Sequence, residues 1–170
     1  YADPAVMAGQ GTAALELLHS DGPFDVLVVP VGGGGLASGT ALALQLAGPQ
    51  TRLVLAEPAG ADDTARSLAA GERQGAFTPD TVCDGLRTLI GAPNFALLRA
   101  AGAEVIVVDD AATLAAMRLL WEVLKQVVEP SSATVLAAVL SQPERFAGQR
   151  VGLVLSGGNV DLPALRWGMP

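Results

Sequence analysis

Four glycines in a row, Gly32, Gly33, Gly34 and Gly35, follow the strand-like run from Asp25 to Pro30 and lead into a helical pattern at Leu36. Glycine loses more conformational freedom on folding than any other residue, so four together weaken the fold. They permit unusual dihedrals and close approach of the main chain, so that several N–H groups converge on one anion. The helix opening at Leu36 adds its free amides and the positive end of its dipole. The chemistry is phosphate binding without a lysine. A tight turn with close strand–helix packing is the plainer alternative, although one or two glycines would suffice for it.

Spacing narrows the phosphate compound. A P-loop is excluded, because no Gly-Lys-Ser/Thr follows. A dinucleotide fingerprint wants Gly-x-Gly-x-x-Gly and an acidic residue about 20 positions on, at the end of the next strand. Glu57 does end the next apolar run, but the third glycine would fall on Ala37 or Ser38. A compact terminal phosphate monoester therefore fits better than a pyrophosphate, with a dinucleotide-binding domain as the alternative.

Two further groups of residues invite chemistry. The last apolar run ends in Leu155-Ser156-Gly157-Gly158-Asn159. In a parallel sheet all C-terminal strand ends share one edge, so Ser156 should line the same crevice as the glycine loop. A hydroxyl there can hydrogen-bond a ring nitrogen while the glycines hold the phosphate; an ordinary Ser-Gly-Gly turn is the alternative. Glu57, Ala61 and Asp63 stand at i, i+4 and i+6 across a strand-to-helix turn. Two carboxylates and a main-chain carbonyl, completed by water, suit a hard cation such as Mg²⁺ or Ca²⁺. Alternatively, Asp62 or Asp63 is simply a helix N-cap.

The elements that must position these groups alternate along the chain. Continuous apolar runs at 25–30, 52–57, 104–108 and 151–155 read as strands covered on both faces. Helical patterns fall at about 11–20, 36–46, 63–70, 94–101, 110–127 and 132–140, with Asp110 and Ser131 or Ser132 as candidate caps. Residues 71–91 form the one long irregular stretch. Strands alternating with helices predict an α/β domain, a parallel twisted sheet with helices on both faces, spanning residues 1–170.

Composition excludes several partners. The net charge of −7 argues against nucleic acid, which needs a basic face. No apolar stretch approaches the ~18 residues of a membrane span. The single cysteine, Cys83, forbids an internal disulfide and fits a reducing, cytoplasmic setting; it reads as a small hydrophobe.

Taken together, Pro4-Ala5-Val6-Met7-Ala8-Gly9-Gln10-Gly11-Thr12, Val31 to Leu36, Glu57-Pro58 with Ala61-Asp62-Asp63, Asp84-Gly85-Leu86-Arg87, Val128-Glu129-Pro130-Ser131 and Leu155 to Asp161 resemble the serine racemase/threonine (serine) dehydratase family. These are fold-type II pyridoxal-phosphate (PLP) enzymes. The resemblance runs almost end to end and covers the C-terminal half of such an enzyme. It implies that Gly32 to Gly35 and the Leu36 amide bind the PLP phosphate and that Ser156 hydrogen-bonds the pyridine nitrogen. A neutral hydroxyl there favours elimination over transamination. It places Gly85 and Glu129 beside the ring; for Glu129 a helix-end charge before Pro130 is the alternative. It makes Glu57, Ala61 and Asp63 the ligands of a structural, activating metal.

The implied activity is dehydration of a β-hydroxy amino acid to a 2-oxo acid and ammonia, or racemisation, by a protein that is usually a homodimer. PLP chemistry needs a lysine to bond the cofactor. The only lysine, Lys125, reads as part of a solvated face, paired with Glu122. In the family the Schiff-base lysine comes from the N-terminal half, so this chain alone is expected to be inactive and to need that half as partner. A PLP-binding fragment without catalysis is the alternative.

Overall fold

A computed structural model of the chain describes residues 1–75 and 77–161. Ten regular elements carry the fold. They are α1 (Pro4–Asp21), β1 (Val26–Pro30), α2 (Gly35–Ala47), β2 (Arg52–Pro58), α3 (Asp63–Ala70), α4 (Ala92–Ala100), β3 (Glu104–Val108), α5 (Asp110–Leu119), α6 (Pro130–Ser141) and β4 (Val151–Leu153). The strands form one wholly parallel sheet in the order β3-β2-β1-β4, with Val28 of β1 opposite both Val54 and Leu153. The expected α/β class and parallel sheet are present.

Strand alternation builds two cores from one sheet. Leu27, Val29, Leu53 and Leu55 point to one face, against Ala14, Ala41, Leu44 and Leu98 of α1, α2 and α4. Val26, Val28, Val54, Ala56 and Ile106 point to the other, against Ala116, Val135 and Ala138 of α5 and α6. β1 and nearly all of β2 are buried, as their apolar runs require, whereas the outer strands are not. Val107 of β3 and Leu155 beyond β4 are exposed.

Several boundaries differ from the sequence reading. The first helix begins at Pro4, capped by Asp3, whose carboxylate accepts from the Ala5 amide at 2.7 Å. The long helix expected over 110–127 stops at Leu119 and runs on as a π-helical turn, Leu120–Leu124. Its cap is Asp109, which accepts from the Ala112 amide at 2.7 Å. Lys125 then takes a left-handed conformation, φ 58°, to end the turn. It is exposed, but its Nζ donates to the Glu122 carbonyl at 2.6 Å, while the Glu122 carboxylate pairs with Arg118. The expected Lys125–Glu122 ion pair is therefore replaced by a main-chain contact. Ser131 and Ser132 lie inside α6 and do not cap it; Glu129 holds the N-cap position.

α1 and α2 touch through their backbones. A Cβ on Gly11 would lie 2.7 Å from the Gly39 carbonyl oxygen, whereas a Cβ on Gly9 would meet nothing within 4 Å. Opposite effects are expected two residues apart. Gly9→Ala should stabilise the chain by about 0.5–1 kcal/mol through helix propensity. Gly11→Ala should destabilise it by about 1–3 kcal/mol through overpacking. Urea denaturation midpoints of both variants check this.

Candidate functional site

The strand order reverses at β1. From β1 the chain crosses through α2 to β2 and then β3, and it returns through α5 and α6 to β4 on the other side of β1. Such a reversal opens a crevice outside the C-terminal strand ends, because the two following loops leave in opposite directions. β1 feeds the glycine loop into this crevice and β4 feeds in Ser156. A cavity of about 320 Å³ lies there, lined by Gly32, Gly33, Gly34, Gly35, Leu36, Gly85, Leu86, Thr88 and Ser156, with Tyr1 and Gln10 beside them.

The glycines are needed for two separate reasons. Gly34 sits at the N-cap of α2 with φ 91°, a left-handed conformation that side chains strain. A Cβ on Gly32 would lie 3.0 Å from the Leu86 Cα, and one on Gly33 would enter the Tyr1 ring. The Gly33 carbonyl accepts from the Gly91 amide at 3.1 Å, which turns that oxygen away from the crevice. The first helical bond of α2 runs from the Ser38 amide to the Gly34 carbonyl at 2.8 Å. The amides of Gly35, Leu36 and Ala37 precede it, so the helix provides them no partner. No lining residue is charged. Free main-chain amides and the N-terminus of α2 thus face the cavity beside the polar side chains of Gln10, Thr88 and Ser156.

Gly85 lies in the turn Asp84–Leu86, its amide donating to Ser131 Oγ at 3.0 Å. Glu129 is not in the cavity wall; its carboxylate packs beside Gly85 and Gly157. Its amide donates to the Gly157 carbonyl at 3.1 Å, and its Oε2 accepts from the Asn159 amide at 2.9 Å. Tyr1 and Thr88 line the site without having been singled out in the sequence, while Gln10 and Ser131 stood within quoted motifs but were given no part in the site. Thr88 had a usable signal, since it follows the Asp84–Arg87 motif directly.

Glu57 and Asp63 are both fully buried at the end of β2 and the start of α3. Glu57 takes on the capping task expected of Asp62 or Asp63: its carboxylate accepts from the Thr64 amide at 2.9 Å and the Ala65 amide at 2.8 Å. Asp63 Oδ2 accepts from the Ile90 amide at 2.7 Å, while its Oδ1 is buried without a hydrogen-bond partner. Ala61, also buried, ends the intervening turn. Among the described residues no three His, Cys, Asp or Glu side chains gather as a metal cage. Burial pushes the Glu57 carboxyl from its ordinary 4.5 up to about 7, against the lowering effect of its two amide partners. Asp63 is raised too, again by burial. Cys83, buried, has its thiol pushed up to about 12, so it stays protonated and unreactive.

The parallel sheet, its switch point and the row of glycines define an α/β domain with a glycine-lined crevice at the C-terminal strand ends. Comparison with known proteins gives the family. The chain belongs to the pyridoxal-phosphate dependent enzyme family, whose sequence model matches residues 1–157. It is 46% identical over 167 residues to a beta-hydroxyaspartate dehydratase from Paracoccus denitrificans, covering 98% of this chain and 53% of that protein. It is 44% identical to the serine racemase of Dictyostelium discoideum, covering 94% of this chain and 51% of the relative. The crystal structure of the T.th. threonine deaminase superposes with a TM-score of 0.90 at 45% identity, covering 95% of this chain and 61% of that one. The chain thus spans about half the length of the curated relatives it matches. No helix among the described residues is long and apolar enough to cross a membrane.

The raised carboxyls have a pH consequence for the cation-free chain. A group whose pKa is higher folded than unfolded stabilises fully below its unfolded value and loses that contribution as pH rises through the folded value. Stability should therefore fall between pH 4.5 and about 7 as Glu57 ionises. Denaturation midpoints measured with chelator present should show this slope, and Glu57→Gln should flatten it.

Proposed function

We propose that this chain is the C-terminal half of a PLP-dependent enzyme acting on β-hydroxy amino acids, a serine/threonine dehydratase (ammonia-lyase) or a racemase. The observation that carries this reading is the pairing of an uncharged glycine cradle with a serine hydroxyl across one switch-point crevice, in a chain of the pyridoxal-phosphate family. The amides from Gly32 to Leu36 bind the cofactor phosphate, and the α2 dipole compensates its charge. The Ser156 hydroxyl meets the pyridine nitrogen, and Gly85 leaves room for the ring. Bound PLP supplies an electron sink for negative charge at the substrate α-carbon. The chain's own residues anchor and orient the cofactor. Lys125, exposed beyond α5 with its Nζ on the Glu122 carbonyl, is not part of the cavity lining, so the lysine that bonds the cofactor belongs to the other half of the enzyme. The names of the relatives, a beta-hydroxyaspartate dehydratase and a serine racemase, support both the substrate class and the two outcomes, loss of the hydroxyl or return of the α-proton. Two more parts of this reading are a homodimer, carried by the family resemblance, and a cytoplasmic location, which the single cysteine, Cys83, favours.

The same reading includes a divalent cation, Mg²⁺ or Ca²⁺, held by Glu57, the Ala61 carbonyl and Asp63. What supports it is the orphaned Asp63 Oδ1, a buried carboxylate oxygen without a donor, beside a second buried carboxylate. A hard cation would satisfy both and favour their ionised forms.

Two expectations follow. By equilibrium dialysis the chain should bind PLP more tightly than NAD, and Gly34→Ala should abolish most of that binding; preference for NAD would instead support a dinucleotide domain. In thermal melts, added chelator should lower the midpoint and Mg²⁺ or Ca²⁺ should restore it. Asp63→Asn, which keeps an acceptor for the Ile90 amide, should remove this cation response; an unchanged response would overturn the ligand assignment.

A further inference from the structure

The loop that presents Ser156 is held by very little of its own. β4 ends at Leu153, and Leu155, Ser156, Gly158 and Asn159 are exposed. The Val154 amide still reaches the Val28 carbonyl of β1 at 3.0 Å. Beyond it, among the described residues, the hydrogen bonds of this loop go to one residue, Glu129.

Glu129 engages with its amide, its carbonyl and its carboxylate. The amide donates to Gly157 at 3.1 Å and Oε2 accepts from the Asn159 amide at 2.9 Å, so the two contacts bracket the residues just after Ser156. Its carbonyl accepts from the Ser132 and Ala133 amides, both at 3.1 Å, which starts α6. α6 in turn is buried against the sheet through Val135, Ala137 and Ala138. The carboxylate passes close to Gly157, where a Cβ would lie 2.9 Å from it and push it aside.

We propose that Glu129 is the positioning residue for Ser156: its carboxylate fixes the 156–159 loop to the rigid start of α6, so that the hydroxyl stands ready for the ring nitrogen. Its negative charge is not what acts on the cofactor. The acceptor oxygen is, through the Asn159 amide. This proposal rests on the reading of Ser156 as the pyridine-nitrogen contact.

The test compares the affinity of the chain for PLP with that for the carbocyclic analogue in which C–H replaces the ring nitrogen. Ser156→Ala should weaken PLP about 5- to 10-fold, the worth of one hydrogen bond, and leave the analogue unchanged. Glu129→Ala should show the same ligand-selective loss, and the double variant should lose no more than either single one. Glu129→Gln keeps an acceptor oxygen and should bind PLP within about twofold of the parent. Gly157→Ala, which displaces the carboxylate without removing it, should copy Glu129→Ala. Circular dichroism confirms that each variant is folded. Equal weakening of both ligands by Glu129→Ala, additive losses, or a Glu129→Gln as impaired as Glu129→Ala would each overturn the positioning role. If Ser156→Ala fails to discriminate the ligands, the Ser156 reading falls first and the proposal with it.

Discussion

All four strands run parallel, and this constraint governs the site. It sends every strand's C-terminal end to one edge, and the order β3-β2-β1-β4 makes the loops after β1 and β4 diverge there. The crevice between them is a product of connectivity and is present before any side chain is considered. The long loop between α3 and α4 must then cross that edge, and it is tied down at each passage. Asp110 accepts from the Thr81 hydroxyl at 2.5 Å and from the Val82 amide at 2.9 Å, and Gly91 donates to Gly33. Glycines in the cradle make room for this crossing, as the Leu86 Cα against Gly32 demonstrates.

What the sequence made legible follows from how local each signal is. β1 and β2 are continuous apolar runs because helices cover both faces, so composition alone marks them. The glycine loop and Ser156 were legible because unusual residues stand at strand ends. The start of α1 was not, since its early turns are small residues exposed on one side and packed by backbone contact on the other, with little periodicity to read. The π-helical turn after α5 was equally hidden. Its pattern stays apolar through Leu124, and only the left-handed Lys125 marks the end. Partner exchange also escapes a one-dimensional reading. Glu57 caps a helix six residues away, and Ser131 serves Gly85 in place of its own helix.

Charge is distributed in a way that suits the cradle. A chain with net charge −7 and ten basic residues lines the crevice at the glycine loop with none of them. Main-chain amides and a helix dipole do not titrate, so the cradle keeps its strength across the pH range in which a lysine or histidine would change. Their geometry is also fixed by the backbone, which a flexible charged side chain would not provide. The basic residues work elsewhere. Arg52 and Arg145 converge on Glu104 at the opposite end of the sheet, where the exposed pairs contribute little to stability.

The two buried carboxylates and the cradle share one short piece of backbone. Asp63 Oδ2 holds the Ile90 amide, the next amide, Gly91, holds the Gly33 carbonyl, and the Ile90 side chain lies where a Cβ on Gly34 would go. Arg73 adds a bond from its Nε to the Ile90 carbonyl at 2.6 Å. Residues 90 and 91 are therefore gripped from both sides by elements with different tasks. Any change in the state of Asp63 must either be absorbed at Ile90 or reach the Gly33 peptide of the glycine loop. The surroundings there, with Ile90, Leu98 and Asn94 fully buried, leave little slack to absorb it. A carboxylate with one oxygen committed to that amide and the other without a donor is thus the point at which the architecture of α3 bears directly on the geometry of the glycine loop.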